Sequence, residues 1–183
     1  MPATVAPPTP ERLHARALRY LERYATTAAH LRRVLLRRAA RDAEALGLDT
    51  APVRMDVDAV VARLVAAGLL DDRQFALARA RRLSDTGRSP ARIRAALAAK
   101  GLAEPAIEAA LRGLAEEQSD PELAAAIAYA RRRRLGPWRL PESRPENRAK
   151  DLAALGRAGF GYRAARLVAD AADPEALTSD AHA

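Results

Sequence analysis

The sequence predicts an all-α protein: three tandem three-helix repeats forming an elongated, curved array. Three observations lead there. Ala supplies about a quarter of the 183 residues and Arg another 29, both strong helix formers, while aromatics make up only 4%. Charge alternates along the chain, and the basic blocks begin about 60 residues apart. The same helix punctuation, a short polar cap followed by proline and a closing glycine, recurs in step with those blocks.

The charge blocks are well defined. Residues 12–41 hold nine Arg against Glu22, residues 73–100 eight bases against Asp85, and residues 131–166 eleven bases against three acids. Between them, 42–72 hold seven acids against Arg54 and Arg63, and 101–130 six acids against Arg112. The net is +8, almost all of it Arg, since Lys100 and Lys150 are the only lysines.

Residues 1–10 read as a disordered lead without a secretory pattern. Repeat 1, 11–69, opens at Thr9-Pro10 and turns Leu13, Ala17, Tyr20, Leu21 and Tyr24 inward. Thr27 caps its second helix, whose Leu31 and Leu35 match Ile93 and Leu97 at an offset of 62, as Arg38 matches Lys100. An insertion at about 40–55 follows, and Asp56 or Asp58 opens a third helix on Val57, Val60, Val61 and Leu64. Repeat 2, 70–117, has Asp71 as cap to about Ser84, Ser89-Pro90 opening a helix on Ile93, Ala96 and Leu97, and Glu104-Pro105 restarting after Gly101 with Ile107, Ala110, Leu111 and Leu114 inward.

Repeat 3, 118–172, begins with the capping box Ser119-Asp120-Pro121-Glu122 and turns Leu123, Ile127 and Ala130 inward. A Pro-rich surface loop at 136–145 precedes a helix from about Glu146 to Arg157, and Gly159-Phe160 matches Gly101-Leu102 at an offset of 58. Tyr162 to Ala171 is the last helix, and 173–183 a tail, frayed from Leu177. In such arrays neighbouring units bury their apolar faces mainly against each other.

Several function classes drop out. Without Cys there is no disulfide, thiolate chemistry or Cys-ligated zinc. No apolar run approaches the roughly 18 residues that span a bilayer, so a cytoplasmic protein without a membrane partner is expected, and a monomer is expected as well. His14, His30 and His182 lie far apart without ligand spacing, and no phosphate loop or nucleophile elbow is present. Caps and first-turn acids account for Asp56, Asp58, Asp71 and Asp72. The expectation is a non-enzyme with no metal and no cofactor.

The candidate site is a basic surface. Arg33, Arg37 and Arg41 recur with His30 on the side of the second helix away from Leu31 and Leu35. Arg81, Arg82, Arg88, Arg92 and Arg94 surround the corresponding helix of repeat 2, and Arg131, Arg132, Arg133 and Arg134 close a helix of repeat 3. A solvated face explains a stripe of this kind, and the helix dipole explains one or two bases at a C-terminus. Four together concentrate charge at a cost in repulsion, which points to an anionic partner. Arg38 and Lys100 sit at a last turn in line with the apolar stripe, as snorkelling stems do, and Trp138 reads as an anchor for its loop.

Gly68-Leu-Leu-Asp-Asp-Arg-Gln-Phe-Ala76, followed by Gly87-Arg-Ser-Pro-Ala-Arg-Ile-Arg-Ala-Ala-Leu-Ala-Ala-Lys-Gly101, resembles the RecX family, and the likeness extends over about residues 12–170. The resemblance implies three tandem three-helix repeats and a non-enzymatic partner of the RecA recombinase. Such a protein lodges in the groove of the RecA–DNA filament and restrains strand exchange, ATP hydrolysis and co-protease activity. On that reading the basic helices face acidic protein patches or DNA, single- or double-stranded, through sequence-independent and salt-sensitive contacts, and the acidic third helices face elsewhere. Two other readings stand beside it. One is a direct DNA-binding helical protein acting without RecA, through a helix-turn-helix-like pair such as Asp71–Ser84 with Ser89–Lys100, although the second helix offers no Asn or Gln for base readout. The other is a plain helical scaffold.

Overall fold

The computed structural model describes residues 6–180, and among them there are ten α-helices, two 3-10 turns and no strand. Residues 1–5 of the expected lead and the last three of the tail, His182 included, lie outside the described residues. The helices follow one another in threes, with one added at the end, and divide between two compact units: Met1–Phe75 with Lys100–Leu102, and Ala76–Ala99 with Ala103–Ala183.

In the first unit α1 (Pro10–Leu21) starts where Thr9 accepts from the Arg12 N–H, and α2 (Ala28–Ala45) where Thr27 accepts from the His30 N–H at 3.1 Å. α2 has a second cap, because Asp72 Oδ1 accepts from the Ala28 N–H at 2.9 Å. α3 (Ala51–Ala66) completes a core of Leu13, Ala17, Leu31, Leu35, Val57, Val60 and Leu64. The expected insertion at 40–55 is not a loop. α2 runs on to Ala45, burying Ala39 and Ala43, and α3 begins at Ala51 rather than at Asp56 or Asp58. Pro52 in its first turn carries the start signal that those aspartates seemed to hold. Arg38 therefore sits mid-helix and exposed, not at a last turn. Tyr24 lies beyond the end of α1 and is exposed, so it does not join the core.

The second unit takes in most of α4 (Asp72–Asp85), whose cap Asp71 accepts from the Arg73 and Gln74 N–H groups. α5 (Pro90–Ala98) is capped by Ser89, and α6 is Glu104–Glu117. Ile93, Leu97, Ile107 and Leu114 are buried here, as the spacing predicts. Glu104 is the first residue of α6 rather than its cap; Ala103 holds the cap position without a side-chain bond, and Pro105 supplies the start. α7 (Pro121–Arg133) is capped by Asp120, not Ser119, while Glu122 reaches away to accept from the Gly161 N–H at 2.8 Å.

The Pro-rich stretch is less superficial than expected. It forms 3-10 turns at Gly136–Trp138 and Pro141–Ser143, with Leu135, Gly136 and Pro137 buried and Trp138 packed as an anchor against the core of Leu123, Ala126, Leu155, Phe160 and Val168. α8 (Arg144–Arg157) then starts two residues before Glu146, with Pro145 in its first turn. α9 is Tyr162–Asp170, and the expected tail instead forms α10 (Pro174–Asp180) with Leu177 buried. Asp173 accepts from the Ala176 N–H, so an aspartate cap and a first-turn proline start this helix as they start α7.

Asp151 of α8 departs most from the pattern. At the offset of 58 it stands where repeat 2 has Ile93, yet it is 2% exposed. Arg139 donates to both its oxygens at 2.8 and 2.7 Å, and the Gly136 N–H donates at 2.8 Å. Burial pushes this carboxyl up, but the Arg139 and Gly136 hydrogen bonds, with the charges of Arg139 and Lys150, outweigh it and hold the group below its usual range. The bonds tie the Pro-rich stretch to α8.

Candidate nucleic-acid interface

The twelve arginines singled out from sequence fall into three different settings. On α2, Arg33, Arg37 and Arg41 are exposed along one face, opposite the buried Leu31 and Leu35. His30 beside them has its pKa lowered, by burial first and then by Lys100, Arg33 and Arg37, so at neutral pH it adds no charge to the stripe. Their neighbour Arg32 is bound at the other edge, by Asp58 of α3 at 2.5 Å.

Arg81 and Arg94 are already engaged. Both oxygens of Glu117 accept from Arg81, and Arg94 pairs with Glu104 and with Glu108. These hydrogen bonds, more than the charges alone, hold the Glu108 and Glu117 carboxyls below their ordinary values. The expectation that acidic third helices face away from the basic ones is thus wrong for α6, which turns three carboxylates toward the arginines of its own repeat. Arg82 stays exposed.

Arg88, Arg92, Arg132 and Arg133 converge. An open cleft of about 460 Å³ is lined by Gly87, Arg88, Arg92, Tyr129, Arg132, Arg133, Ala154, Arg157 and Ala158. Close packing builds it. Gly87 has φ +73°, and a Cβ there would lie 2.5 Å from the Tyr129 backbone nitrogen, so the α4–α5 turn rests directly on α7. Ser89, while capping α5, donates to the Ala158 carbonyl at 2.8 Å, which brings the end of α8 to the same place. Arg92 donates to the Arg157 carbonyl at 3.4 Å, and the Arg133 guanidinium lies 5.9 Å from the centre of the Tyr129 ring. Among the described residues no carboxylate pairs with Arg88, Arg92, Arg132, Arg133 or Arg157.

Sequence reasoning missed Arg157. The signal was a base in the last turn before Gly159, but nothing local shows that two helix C-termini and a turn meet there. Arg131 and Arg134 do not line the cleft. Arg134 caps α7 by its backbone, in the left-handed conformation at φ 54°, with its N–H on the Ala130 and Arg131 carbonyls. Capping of α7 is therefore done by main chain and leaves the four guanidiniums unused. Among the described residues no group of three or more His, Cys, Asp or Glu side chains is placed to hold a metal ion, and no helix is long and apolar enough to cross a membrane.

The family model described as "RecX, second three-helix domain" matches residues 71–111, from the Asp71 cap into α6. A protein named regulatory protein RecX from Myxococcus xanthus is 41% identical over 163 residues, covering 88% of this chain and 86% of its own length. The chain belongs to the RecX family. Another RecX, from Agrobacterium fabrum, is 30% identical over 148 residues, covering 80% of this chain and 75% of its own. A crystal structure of a regulatory protein RecX superposes with a TM-score of 0.61 at 22% identity, over 88% of this chain and 72% of that one, and so shares the fold. Within the RecX family match, residues 71–111 span Arg88 and Arg92 on one wall of the cleft and the ion-paired Arg81 and Arg94.

Proposed function

We propose that this RecX-family chain is a non-enzymatic regulator that binds the RecA–DNA nucleoprotein filament and lowers its recombinase, ATPase and co-protease activities. It acts as a monomer in the cytoplasm, and its DNA contacts are sequence-independent and salt-sensitive. The observation that carries this reading is the cleft where Arg88, Arg92, Arg132, Arg133 and Arg157 gather without a carboxylate. Such a surface gains by releasing the counterions of phosphates rather than by reading bases. The exposed stripe Arg33, Arg37 and Arg41 adds a second basic patch, so weak contacts on one chain reinforce each other on a periodic filament.

The test is ATP hydrolysis and strand exchange by RecA on single-stranded DNA, with this protein at sub-stoichiometric amounts. Both rates fall in the expected outcome, and the protein co-sediments with the filament better than with RecA or DNA alone. Unchanged rates with equal co-sedimentation on bare DNA would favour a DNA binder acting without RecA.

A further inference from the structure

Two sets of arginines in the second unit contrast. Arg81, Arg94, Arg139, Arg148 and Arg163 each meet a carboxylate: Glu117, Glu104 with Glu108, Asp151, Asp170 and Asp120 respectively. The five arginines of the cleft meet none among the described residues, although each is close to others of like charge. That arrangement is costly unless something offsets the repulsion. The C-termini of α7 and α8 both end at the cleft, and their dipoles favour cations. Arg92 rests on the Arg157 carbonyl and Arg133 on the Tyr129 ring, so two guanidiniums are held in place before any ligand arrives.

We infer that this cleft is a dedicated site for two or more adjacent phosphate groups, and that its occupant is the backbone of a single-stranded nucleic acid. A single phosphate carries about two charges at most and leaves most of the five guanidiniums unmatched. Consecutive phosphodiesters present one charge each at regular spacing, and planar guanidiniums take them through paired N–H donors. The cleft is concave, walled by the α4–α5 turn and two helix ends. A single strand enters such a space, whereas a duplex carries its phosphates on a wide convex cylinder. The main seat of nucleic-acid binding is then this cleft and not the α2 stripe, and Arg157 belongs to it. The inference deepens the proposed function by naming the ligand of that surface, and its test leaves RecA out so that the two fail separately.

The experiment measures binding of a fluorescent 16-nucleotide oligo-dT to the full chain by anisotropy, with pyrophosphate and ATP as competitors. Two triple variants remove equal charge from exposed positions: Arg88→Gln/Arg132→Gln/Arg157→Gln in the cleft, and Arg33→Gln/Arg37→Gln/Arg41→Gln on α2. The cleft variant is expected to weaken binding about tenfold or more beyond the stripe variant, since it removes charge-assisted bonds rather than diffuse attraction. Circular dichroism melts of both variants check that the fold is kept. Equal losses in the two variants, or tighter binding of a duplex of the same length, would overturn the inference. Pyrophosphate or ATP binding more tightly than the oligonucleotide would overturn the nucleic-acid occupant and assign the site to a free polyphosphate.

Discussion

The Thr27 hydroxyl donates a 2.7 Å hydrogen bond to the carbonyl of Lys100, 73 residues further along, while accepting from the His30 N–H. Ser89, 62 residues after Thr27, does the same: it accepts from the Arg92 N–H and donates to the Ala158 carbonyl at 2.8 Å. Next to each acceptor stands a left-handed glycine. A Cβ on Gly101 would lie 2.7 Å from the Ala29 Cβ, and one on Gly159 would lie 2.8 Å from the Ser89 hydroxyl. One buried hydroxyl thus caps one helix and holds a main-chain carbonyl distant in sequence, twice in the same chain.

Replacing either hydroxyl by a methyl group is expected to remove both bonds at once. Ser89→Ala should cost about 1–3 kcal/mol of stability, the sum of a lost cap and a buried carbonyl left unpaired. Thr27→Ser keeps the hydroxyl and should cost only about 1 kcal/mol, that of one buried methyl group. Urea melts followed by circular dichroism measure both; a Ser89→Ala midpoint equal to that of the parent would show that the joint contributes nothing.

Gly87 and Gly68 separate two costs. Gly68 has φ +70° with no atom within 4 Å of an added Cβ, so Gly68→Ala bears backbone strain alone, about 1 kcal/mol. Gly87→Ala meets the Tyr129 backbone as well and should cost at least twice that. It should also lower oligonucleotide affinity, because the turn carrying Arg88 must move. Equal melting temperatures for the two variants would contradict the direct seating of the turn on α7.

Asp151→Asn should lower stability by about 1–3 kcal/mol by giving Arg139 and the Gly136 N–H a neutral acceptor in place of a carboxylate. The pH dependence follows from the lowered pKa of the native carboxyl. The unfolded chain takes up the proton first, at about pH 4, so the contribution is full above that value and is lost as pH falls through the native pKa. The parent should therefore lose stability between pH 4 and lower values more steeply than Asp151→Asn. Parallel stability curves for the two proteins over that range would rule the pair out as a source of acid sensitivity.

Within the run at the end of α7, the four arginines should not be equivalent. Arg132→Gln/Arg133→Gln should reduce the slope of log affinity against log salt for single-stranded DNA by about 0.7 per lost phosphate contact. Arg131→Gln/Arg134→Gln, outside the cleft, should change it less. Arg81→Gln, whose charge is already met by Glu117, should leave it nearly unchanged. A single slope shared by all three variants would show that Arg132 and Arg133 make no phosphate contacts of their own.

Caps were the most legible feature of the chain, because a capping side chain reaches only three residues. Thr9, Thr27, Asp71 and Ser89 are caps in the structure as in the sequence. The buried Leu31, Leu35, Ile93 and Leu97 were equally clear from helical spacing and the 62-residue offset. The start of α3, signalled by Pro52, was missed because Asp56 and Asp58 further along offer the same role, and α10 was missed although Asp173-Pro174 signals it, because so short a terminal stretch reads as a tail. The pairing of α6 with Arg81 and Arg94 was out of reach. Alternating charge blocks look the same whether the acids turn toward the bases or away.

The sequence by itself determined the all-helical fold, the order in threes, the caps Thr9, Thr27, Asp71 and Ser89, and the RecX family, because propensity, capping, helical period and a short motif all act over a few residues. Only the tertiary structure decided which arginines are free. Arg94 and Arg92 are two residues apart on one helix, yet one is held by Glu104 and Glu108 and the other opens on the cleft. Arg157 joins Arg88 and Arg132 because Ser89 holds the Ala158 carbonyl and Gly87 lies against Tyr129. Whether a charge is spent on a neighbour or left for a ligand depends on distances of a few ångströms across the chain, and the order of residues does not encode those distances one by one.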